Sequence, residues 1–202
     1  MSYGFIIDME KCIGCHGCSV TCKAANGTPP GVTRSHVLRS YEGTYPDVHR
    51  IIRPVMCNHC ENPLCVPVCP IDGATYRRED GIVVIDKELC DGCGHCIEAC
   101  PYGARYAISS PDGYFGAQLS PYEEVAYVGK EEGTVDKCDF CLEYSGGADP
   151  NPVCVKACQV EARIFGELDA LQGMIAARGG ATYLPEEGTS PVVFYLPVVD
   201  NK

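Results

Sequence analysis

Residues 90–101 read CDGCGHCIEACP, a run of four cysteines spaced C-x2-C-x2-C-x3-C and closed by a proline. This spacing lets one loop wrap three cysteines around an iron–sulfur cluster, while the fourth cysteine binds a neighbouring cluster. The fourth cysteine lies on a helical turn and points away from the loop. The stretch therefore predicts a cluster loop, a short helical turn and a second cluster close by.

The chain has 16 cysteines, and all of them fall into four groups of four. The first group has the same spacing, the second has a wider middle gap and again ends in proline, and the fourth opens its middle gap to twelve residues. In chain order the groups are Cys12, Cys15, Cys18 and Cys22; Cys57, Cys60, Cys65 and Cys69; Cys90, Cys93, Cys96 and Cys100; and Cys138, Cys141, Cys154 and Cys158. Because a [4Fe–4S] cluster takes four thiolates and no cysteine is left over, the sequence predicts four such clusters.

Disulfides and zinc are the other common uses of so many cysteines. A secreted disulfide scaffold is disfavoured because Cys12 follows the opening residues without an apolar or twin-arginine leader. Zinc ribbons use paired C-x2-C knuckles, a pattern that only the fourth group fits. The sequence favours clusters, and a zinc-binding interaction module stays as an alternative.

Composition narrows the class of protein further. The 202 residues carry a formal net charge of -11, contain no tryptophan and are 8% aromatic. An acidic chain repels nucleic acid, so DNA or RNA binding is excluded. Few large apolar side chains are available for a core. We therefore expect the clusters to stabilise the fold by cross-linking the chain, and the apo chain to be largely unfolded. No apolar run reaches the length of a membrane span.

An internal repeat precedes two of the cysteine groups. A β-rich run and an acidic turn lead into the first group over residues 4–11 and into the third over residues 81–89. Helical turns are predicted at 19–25 and 97–100. Further along the chain, the patterns predict a strand at 50–55, a helix at 168–178 and a strand at 192–196.

The remaining chemistry-bearing residues give no catalytic site. His16, His59 and His95 lie inside cysteine groups and could tune a cluster by hydrogen bonding. The cationic residues Lys23, Arg105 and Lys137 lie near candidate ligands and could raise a local potential. No serine–histidine–aspartate set, phosphate-binding loop or carboxylate pair stands out, so the sequence predicts no catalytic residue.

Longer stretches resemble the four-cluster iron–sulfur subunits of the molybdopterin oxidoreductase, or dimethyl sulfoxide reductase, family. That family includes polysulfide, thiosulfate and arsenate reductases and hydroxyarene transhydroxylases and dehydroxylases. The resemblance is carried by IDMEKCIGC at 7–15, CNHCENPLCVPVCP at 57–70, CPYGAR at 100–105, KCDFC at 137–141 and LPEEGT at 184–189. It covers most of the chain.

The resemblance implies how the groups pair, which spacing alone leaves open because adjacent groups could also join. The first group would pair with the fourth and the second with the third. The implied ligand sets are Cys12, Cys15, Cys18 and Cys158; Cys22, Cys138, Cys141 and Cys154; Cys57, Cys60, Cys65 and Cys100; and Cys69, Cys90, Cys93 and Cys96. The implied fold is α+β, with two pseudo-symmetric bacterial ferredoxin-like modules and a C-terminal helix and strand extension.

On this basis we divide the chain into four segments. Residues 1–56 hold the first group with a linker, residues 57–106 form a central ferredoxin-like module, and residues 107–137 form an insertion loop that faces a partner or solvent. Residues 138–202 hold the fourth group and the C-terminal extension, and would pair with 1–56.

The resemblance also implies a role. Such a subunit is not an enzyme by itself: it relays single electrons between a large molybdopterin (Mo/W-bisPGD) catalytic subunit and a quinone-linked membrane anchor or a soluble carrier. We expect a cytoplasmic chain, or a periplasmic or membrane-associated one exported together with its partner. A free-standing polyferredoxin without a molybdenum partner is the alternative.

Overall fold

The computed structural model describes residues 2–110, 112–147 and 149–197. Met1, Pro111, Ala148 and residues 198–202 lie outside the described residues. The predicted segments 1–56, 107–137 and 138–202 are therefore described only in part. Strands, most of them short, and short helices are interspersed along the described chain in an α+β arrangement.

The strands are β1 (Tyr3–Asp8), β2 (Ser35–Thr44), β3 (Asp47–Met56), β4 (Thr75–Arg77), β5 (Val83–Ile85), β6 (Arg105–Ala107), β7 (Val135–Lys137), β8 (Arg163–Glu167), β9 (Ala181–Thr182) and β10 (Val193–Leu196). The α-helices are α1 (Gly17–Ala25), α2 (His95–Glu98), α3 (Pro121–Ala126), α4 (Val153–Lys156) and α5 (Leu168–Ala177), and a 3-10 turn covers Pro185–Glu187. The strands predicted at 4–11, 50–55, 81–89 and 192–196 are confirmed as β1, β3, β5 and β10. The helical stretches predicted at 19–25 and 168–178 are confirmed as α1 and α5, and α2 begins two residues before the turn predicted at 97–100.

The largest sheet is built around β1, the strand that leads into the first cysteine group. Its strand order is β8–β1–β10–β9, with β1 antiparallel to β8 and parallel to β10. Helix α5 covers one face, where Leu171 and Ile175 pack against Ile6 and Leu196. The C-terminal segment therefore supplies most of the sheet that holds the N-terminal strand.

The other face of this sheet packs against cysteines. One apolar cluster contains Phe5 and Phe140 together with Cys57, Cys138 and Cys154, all of them buried. The thiols thus occupy positions that bulky apolar side chains fill in an ordinary core. This arrangement follows from the small number of aromatic residues in the chain.

Within the described residues, three two-stranded sheets accompany the larger one, and two of them join cysteine groups. The β4–β5 hairpin connects the second group to the third, and β6 pairs with β7 to connect the third group to the fourth. The β2–β3 hairpin has ten-residue strands, and its outer half is exposed. Strand β2 was not predicted, because residues 35–44 mix polar, charged and apolar side chains without strict alternation.

The segment 107–137, predicted as an insertion loop, contains a capped helix between β6 and β7. The side chains of Ser120 and Glu123 form a capping box at the start of α3, and Pro121 occupies the first turn. The helix lies over the end of α1, where a Cβ on Gly27 would come within 1.9 Å of the carbonyl oxygen of Ala126. The sequence SPYE at 120–123 carries this signal, and the loop assignment overlooked it.

Replacing Glu123 with alanine should loosen residues 112–134. The carboxylate of Glu123 is buried, accepts hydrogen bonds from the backbone N–H groups of Ser120 and Tyr114, both at 2.7 Å, and thereby joins the helix to the preceding turn. We expect limited proteolysis to cut this segment at least several times faster, with iron content unchanged. Exposed Glu124 on the same helix is the control, and equal cleavage of Glu124→Ala and Glu123→Ala proteins would contradict the prediction.

Candidate metal centres

The first and third cysteine loops begin with the same local structure. Asp8 Oδ1 accepts hydrogen bonds from the backbone N–H groups two and three residues further on, at 3.1 and 3.3 Å, and Asp86 Oδ1 does the same at 3.0 and 3.3 Å. Gly14 and Gly92 then take left-handed conformations, with φ of 68° and 70°. A Cβ on Gly92 would lie 1.5 Å from the carbonyl oxygen of Gly133, so this loop also needs glycine for close packing.

Three cysteines of the first group meet the last cysteine of the fourth. Cys12, Cys15, Cys18 and Cys158 line one cavity. Burial raises the pKa of the Cys12 thiol, and nearby Cys18 and Cys158 also raise it, although a backbone N–H at Gly14 lowers it. Cys15 is exposed, so this set reaches the surface of the chain.

The remaining cysteine of the first group meets the other three of the fourth. Cys22, Cys138, Cys141 and Cys154 are all buried, and helix α1, which carries Cys22, packs against α4, which carries Cys154. Burial raises the pKa of Cys22 to about 12, and the nearby Cys154 and Cys141 also raise it. The Asn26 side-chain nitrogen lies 3.7 Å from both Cys22 Sγ and Cys141 Sγ.

A third set gathers thiols from the second and third groups. Burial raises the pKa of Cys60 to about 12; the thiols of Cys57, Cys65 and Cys100 also raise it, while Thr189 lowers it. Burial likewise raises the pKa of Cys65, with Cys57 and Cys100 among the groups that raise it further.

The last set, Cys69, Cys90, Cys93 and Cys96, ranges from buried Cys96 to exposed Cys93. Cys93 is exposed; the backbone at His95 lowers its pKa, but desolvation, Asp91 and Cys69 together raise it above the ordinary value. The backbone N–H of Val135 in β7 points to Cys90 Sγ at 3.5 Å.

Two buried arginines donate hydrogen bonds to cysteine sulfurs. Arg163 Nη1 lies 3.4 Å from Cys154 Sγ, and Arg105 Nη2 lies 3.0 Å from Cys65 Sγ. Each follows an alanine and comes five residues after the last cysteine of its group. Hydrogen bonds to the sulfurs and nearby positive charge are among the factors that set the potential of an iron–sulfur cluster.

The three cationic residues that the sequence indicated differ in what they contact: two lysines contact backbone carbonyls and one arginine contacts a thiol. Lys23 Nζ donates to the carbonyl oxygens of Pro29 (2.5 Å) and Val32 (2.8 Å), and buried Lys137 Nζ donates to that of Cys138 at 2.7 Å. These two lysines therefore hold backbone, whereas Arg105 contacts a thiol.

The three histidines inside the cysteine groups contact backbone or apolar side chains, or lie at the start of a helix. His59 is fully buried, accepts a hydrogen bond at Nδ1 from the backbone N–H of Val83 (3.1 Å) and packs 3.8 Å from the ring of Phe140, measured between ring centroids. His16 takes a left-handed conformation, with φ of 63°, directly before α1, and His95 is the first residue of α2.

Sequence reasoning missed the residues that surround the buried set. Asn26, Arg34, Asp136 and Arg163 are all buried and polar, and none had been singled out. The repeat of alanine and arginine after the cysteine groups was a signal for Arg163. Arg34 and Asp136 are 102 residues apart and offered none.

The donor sets fit iron–sulfur clusters. Each set offers four thiols of a soft donor type, and backbone or side-chain N–H groups point at sulfurs in all of the sets. No three Cys, His, Asp or Glu side chains of the described residues converge where a single metal ion would sit. A [4Fe–4S] cluster does not require such convergence, because each thiolate binds a different iron.

Comparison with known proteins identifies the class first. Residues 48–111 and 82–159 each match a 4Fe-4S dicluster domain family. The chain is therefore a ferredoxin-type protein with tandem cluster domains.

Similar proteins then define the family. The chain is 40% identical to a tetrathionate reductase subunit of Salmonella typhimurium, over 98% of this chain and 73% of that protein. It is 34% identical to the arsenate respiratory reductase iron-sulfur subunit of a Shewanella species, over 97% and 96% of the two chains. It is 39% identical to the thiosulfate reductase electron transfer subunit of Salmonella typhi, over 83% and 77%.

The chain belongs to the family of iron–sulfur subunits of molybdopterin reductases. These are electron-transfer subunits and not the catalytic ones, and the 16 cysteines account for four [4Fe–4S] clusters. Among the residues that the structure describes, no helix combines the length and apolarity that crossing a bilayer requires.

Proposed function

We propose that the chain is a linear electron wire in which the first cysteine group pairs with the fourth and the second with the third. The four ligand sets are Cys12, Cys15, Cys18 and Cys158; Cys22, Cys138, Cys141 and Cys154; Cys57, Cys60, Cys65 and Cys100; and Cys69, Cys90, Cys93 and Cys96. Proximity of the thiols supports this assignment: it links all four cysteines in each of the first three sets, and Cys69 with Cys93 in the last. When bound, each cluster supplies a one-electron couple, and the protein orients and insulates it.

The order of the sets along the wire is supported by burial and proximity. Burial raises the pKa of the Cys138 thiol, in the second set, well above its ordinary value. Cys57 of the third set is close enough to raise this pKa further. The second set is wholly buried, whereas Cys15 of the first set and Cys93 of the last are exposed. The observation that carries the proposal is this pattern: the first set and the last set each have one exposed thiol, and the two sets between them have none. The pattern favours entry and exit of electrons at the two ends.

The same pairing gives two pseudo-symmetric modules. One comprises 1–56 with 138–202, and the other comprises 57–106. Support comes from β1 pairing with β8, which joins the approach to the first group with the exit from the fourth. Further support comes from the repeated turns at Asp8 and Asp86, and from the matching positions of Arg105 and Arg163.

Anaerobically purified protein tests the wire. We expect about 16 iron atoms per chain and interacting [4Fe–4S] signals by EPR after reduction. A Cys158→Ser change should alter the same EPR signal as Cys15→Ser, and Cys154→Ser the same signal as Cys22→Ser. If Cys15→Ser instead altered the same EPR signal as a serine variant of a cysteine in the second group, pairing of the first group with the second would be favoured. A colourless, fully loaded zinc protein would support the zinc-binding module.

We propose further that a large molybdopterin catalytic subunit is the direct partner, and that a membrane anchor or a soluble carrier exchanges electrons at the other end. The relatives are named as subunits of reductases, which supports the first part. The chain would then work in the compartment of its partner: the cytoplasm, or the periplasm or membrane surface after export with a signal-bearing subunit. Failure to co-purify with a large subunit would support a free-standing polyferredoxin.

The segment 107–137 is the proposed contact with the partner. Tyr114, Phe115, Tyr122, Val125 and Val128 of this segment are 51–79% exposed, which is unusual for so many large apolar side chains close together in sequence. The capping box of α3 holds part of this apolar patch rigid.

Changing Val125 and Val128 of this patch to glutamate should release the partner. Charges at these positions would be buried unpaired in the interface, so we expect at least a tenfold loss of co-purifying catalytic subunit. The iron content should stay the same, because both side chains are exposed and neither residue is a proposed ligand. Met174→Glu, at an exposed apolar position on α5, is the control. Full recovery of the complex with both valines changed would rule out this contact.

A further inference from the structure

The carboxamide of Asn26 is directed at the buried cysteine set. Asn26 is 7% exposed and follows directly after α1, four residues after Cys22. Its Nδ2 donates to the carbonyl oxygen of Cys22 at 2.9 Å and lies 3.7 Å from both Cys22 Sγ and Cys141 Sγ. An amide nitrogen has two hydrogens, so one serves the carbonyl and the other points between the two sulfurs.

Arg34 determines which way this carboxamide faces. Arg34 Nη1 donates to Asn26 Oδ1 at 2.8 Å. If the amide were flipped, its NH₂ group would face the guanidinium, which has only donors, and its oxygen would face the electron-rich sulfurs. The flipped arrangement has no favourable contact on either side. The arginine therefore keeps the N–H groups of Asn26 on the side of the sulfurs.

Arg34 is itself held firmly. It is 3% exposed, and its Nε and Nη2 donate to both carboxylate oxygens of Asp136, at 2.9 and 2.8 Å. Its Nη1 also donates to Asp139 Oδ1 at 3.0 Å. A bidentate arginine–carboxylate pair has a fixed geometry. Asp136 accepts a further hydrogen bond from Lys87 at 2.8 Å, so the carboxylate is also anchored.

We propose that Asn26 donates an N–H···S hydrogen bond to the cluster held by Cys22, Cys138, Cys141 and Cys154 and raises its reduction potential, and that Arg34 is the positioning residue for this bond. The inference rests on the proposed ligand set. One-electron reduction adds one negative charge to the cluster and its sulfurs. A hydrogen bond to sulfur is therefore stronger in the reduced state and favours it, without any proton being taken up.

The geometry makes the effect local. In the described residues, Asn26 has thiols of this set alone within hydrogen-bonding distance of its Nδ2. Arg163, the other side chain that donates to a sulfur of this set in the described part of the chain, approaches Cys154 and leaves Cys22 and Cys141 to Asn26. One cluster of the four should therefore respond to changes at Asn26.

An Asn26→Leu variant tests the proposal by EPR-monitored redox titration. Leucine has nearly the same shape but offers no donor. At a fixed ambient potential we expect the ratio of reduced to oxidised form of one cluster to fall about tenfold, which corresponds to about 59 mV for a one-electron couple. Gln172→Leu, which removes an exposed carboxamide on α5, should leave all four clusters unchanged.

Two further variants guard against a failure to assemble. Asn26→Asp keeps the shape and can still accept from Arg34, but places a carboxylate at the sulfurs, so its shift should have the same sign and be larger. Arg34→Lys keeps the charge but loses the rigid fork, so the shift should be in the same direction and smaller. If no variant assembles, ¹⁵N-asparagine labelling of the unmodified protein should give a nitrogen hyperfine coupling in pulsed EPR of the reduced clusters, and its absence would overturn the proposal.

The outcomes separate this inference from the wire itself. Full iron content with unchanged potentials in Asn26→Leu and Asn26→Asp would overturn the role of Asn26 and leave the four-cluster wire intact. If the cysteine variants do not alter the EPR signals in the predicted pairs, the proposed ligand sets of the wire are wrong instead. A shift confined to a cluster that Cys22→Ser does not alter would also overturn the proposal.

Discussion

Removing the clusters is expected to unfold most of this protein. The buried cysteines stand where a core would otherwise have bulky side chains, and Cys57, Cys138 and Cys154 are members of the main apolar cluster. In the described part of the chain, the strands outside the four-stranded sheet form two-stranded sheets, and isolated two-stranded sheets are at most marginally stable in water. Without iron to hold the thiols together, the free energy of cluster binding is lost from the free energy of folding.

The measurement is far-UV circular dichroism with amide hydrogen exchange, before and after oxidative removal of iron and chelation. Exchange should become fast in α1, α2 and α4 and in the β4–β5 and β6–β7 pairs. Residual protection should be confined to β1, β10 and α5, where Ile6, Leu171, Ile175 and Leu196 form an apolar cluster without any cysteine. Rebuilding the clusters anaerobically with iron, sulfide and thiol is the control. An apo chain that keeps native protection in α1 and α4 would contradict the prediction.

Replacing Arg163 with methionine should lower the potentials of two clusters together. Arg163 is 3% exposed and donates to Cys154 Sγ. Burial opposes its charge, but Cys154 and Cys18 raise its pKa, which shows that it lies near sulfurs of both the first and the second set. A unit charge about 6 Å away contributes about 3 kcal/mol at an effective dielectric constant of 20. At about 59 mV per tenfold change for one electron, the expected shift is on the order of 100 mV.

Arg105 provides the matched comparison in the other module. It is 4% exposed and donates to Cys65 Sγ; burial opposes its charge, while Cys65, Cys57 and Cys96 raise its pKa. Arg105→Met should therefore lower the potentials of the third and fourth sets and spare the first two. Lysine at either position keeps the charge, so its effect should be smaller than that of methionine. Unchanged potentials in both methionine variants, or a shift in the opposite module, would contradict this account.

The cysteine loops could be derived from the sequence because the information in them is local. A C-x2-C-x2-C run brings three thiols around one point through a few backbone angles. The glycines at 14 and 92 and the aspartates at 8 and 86 are residue types that such turns require. Helix α5 and strand β10 were likewise evident from the spacing of apolar residues. Even the capping box of α3 was within reach, since SPYE is a local signal.

The surroundings of the clusters depend on residues that are distant in sequence. Strand β10 lies parallel to β1 although almost the whole chain separates them. The hydrogen-bond path from Asp136 through Arg34 to Asn26 joins residues more than a hundred positions apart. A buried charge destabilises the fold unless it is paired, but the periodicity of the sequence does not indicate which residue pairs with it.

The sequence by itself determined the number and kind of metal ligands, the conformation of the loops that carry them and the class of the protein. These properties are local, because ligand spacing and turn chemistry act over a few residues. Only the tertiary structure decided which sulfurs receive hydrogen bonds, that Arg163 and Arg105 lie among the thiols, and which thiols are exposed and which are buried. These properties arise because buried polar groups need hydrogen-bond partners, and partners distant in sequence come together only when the whole chain is packed.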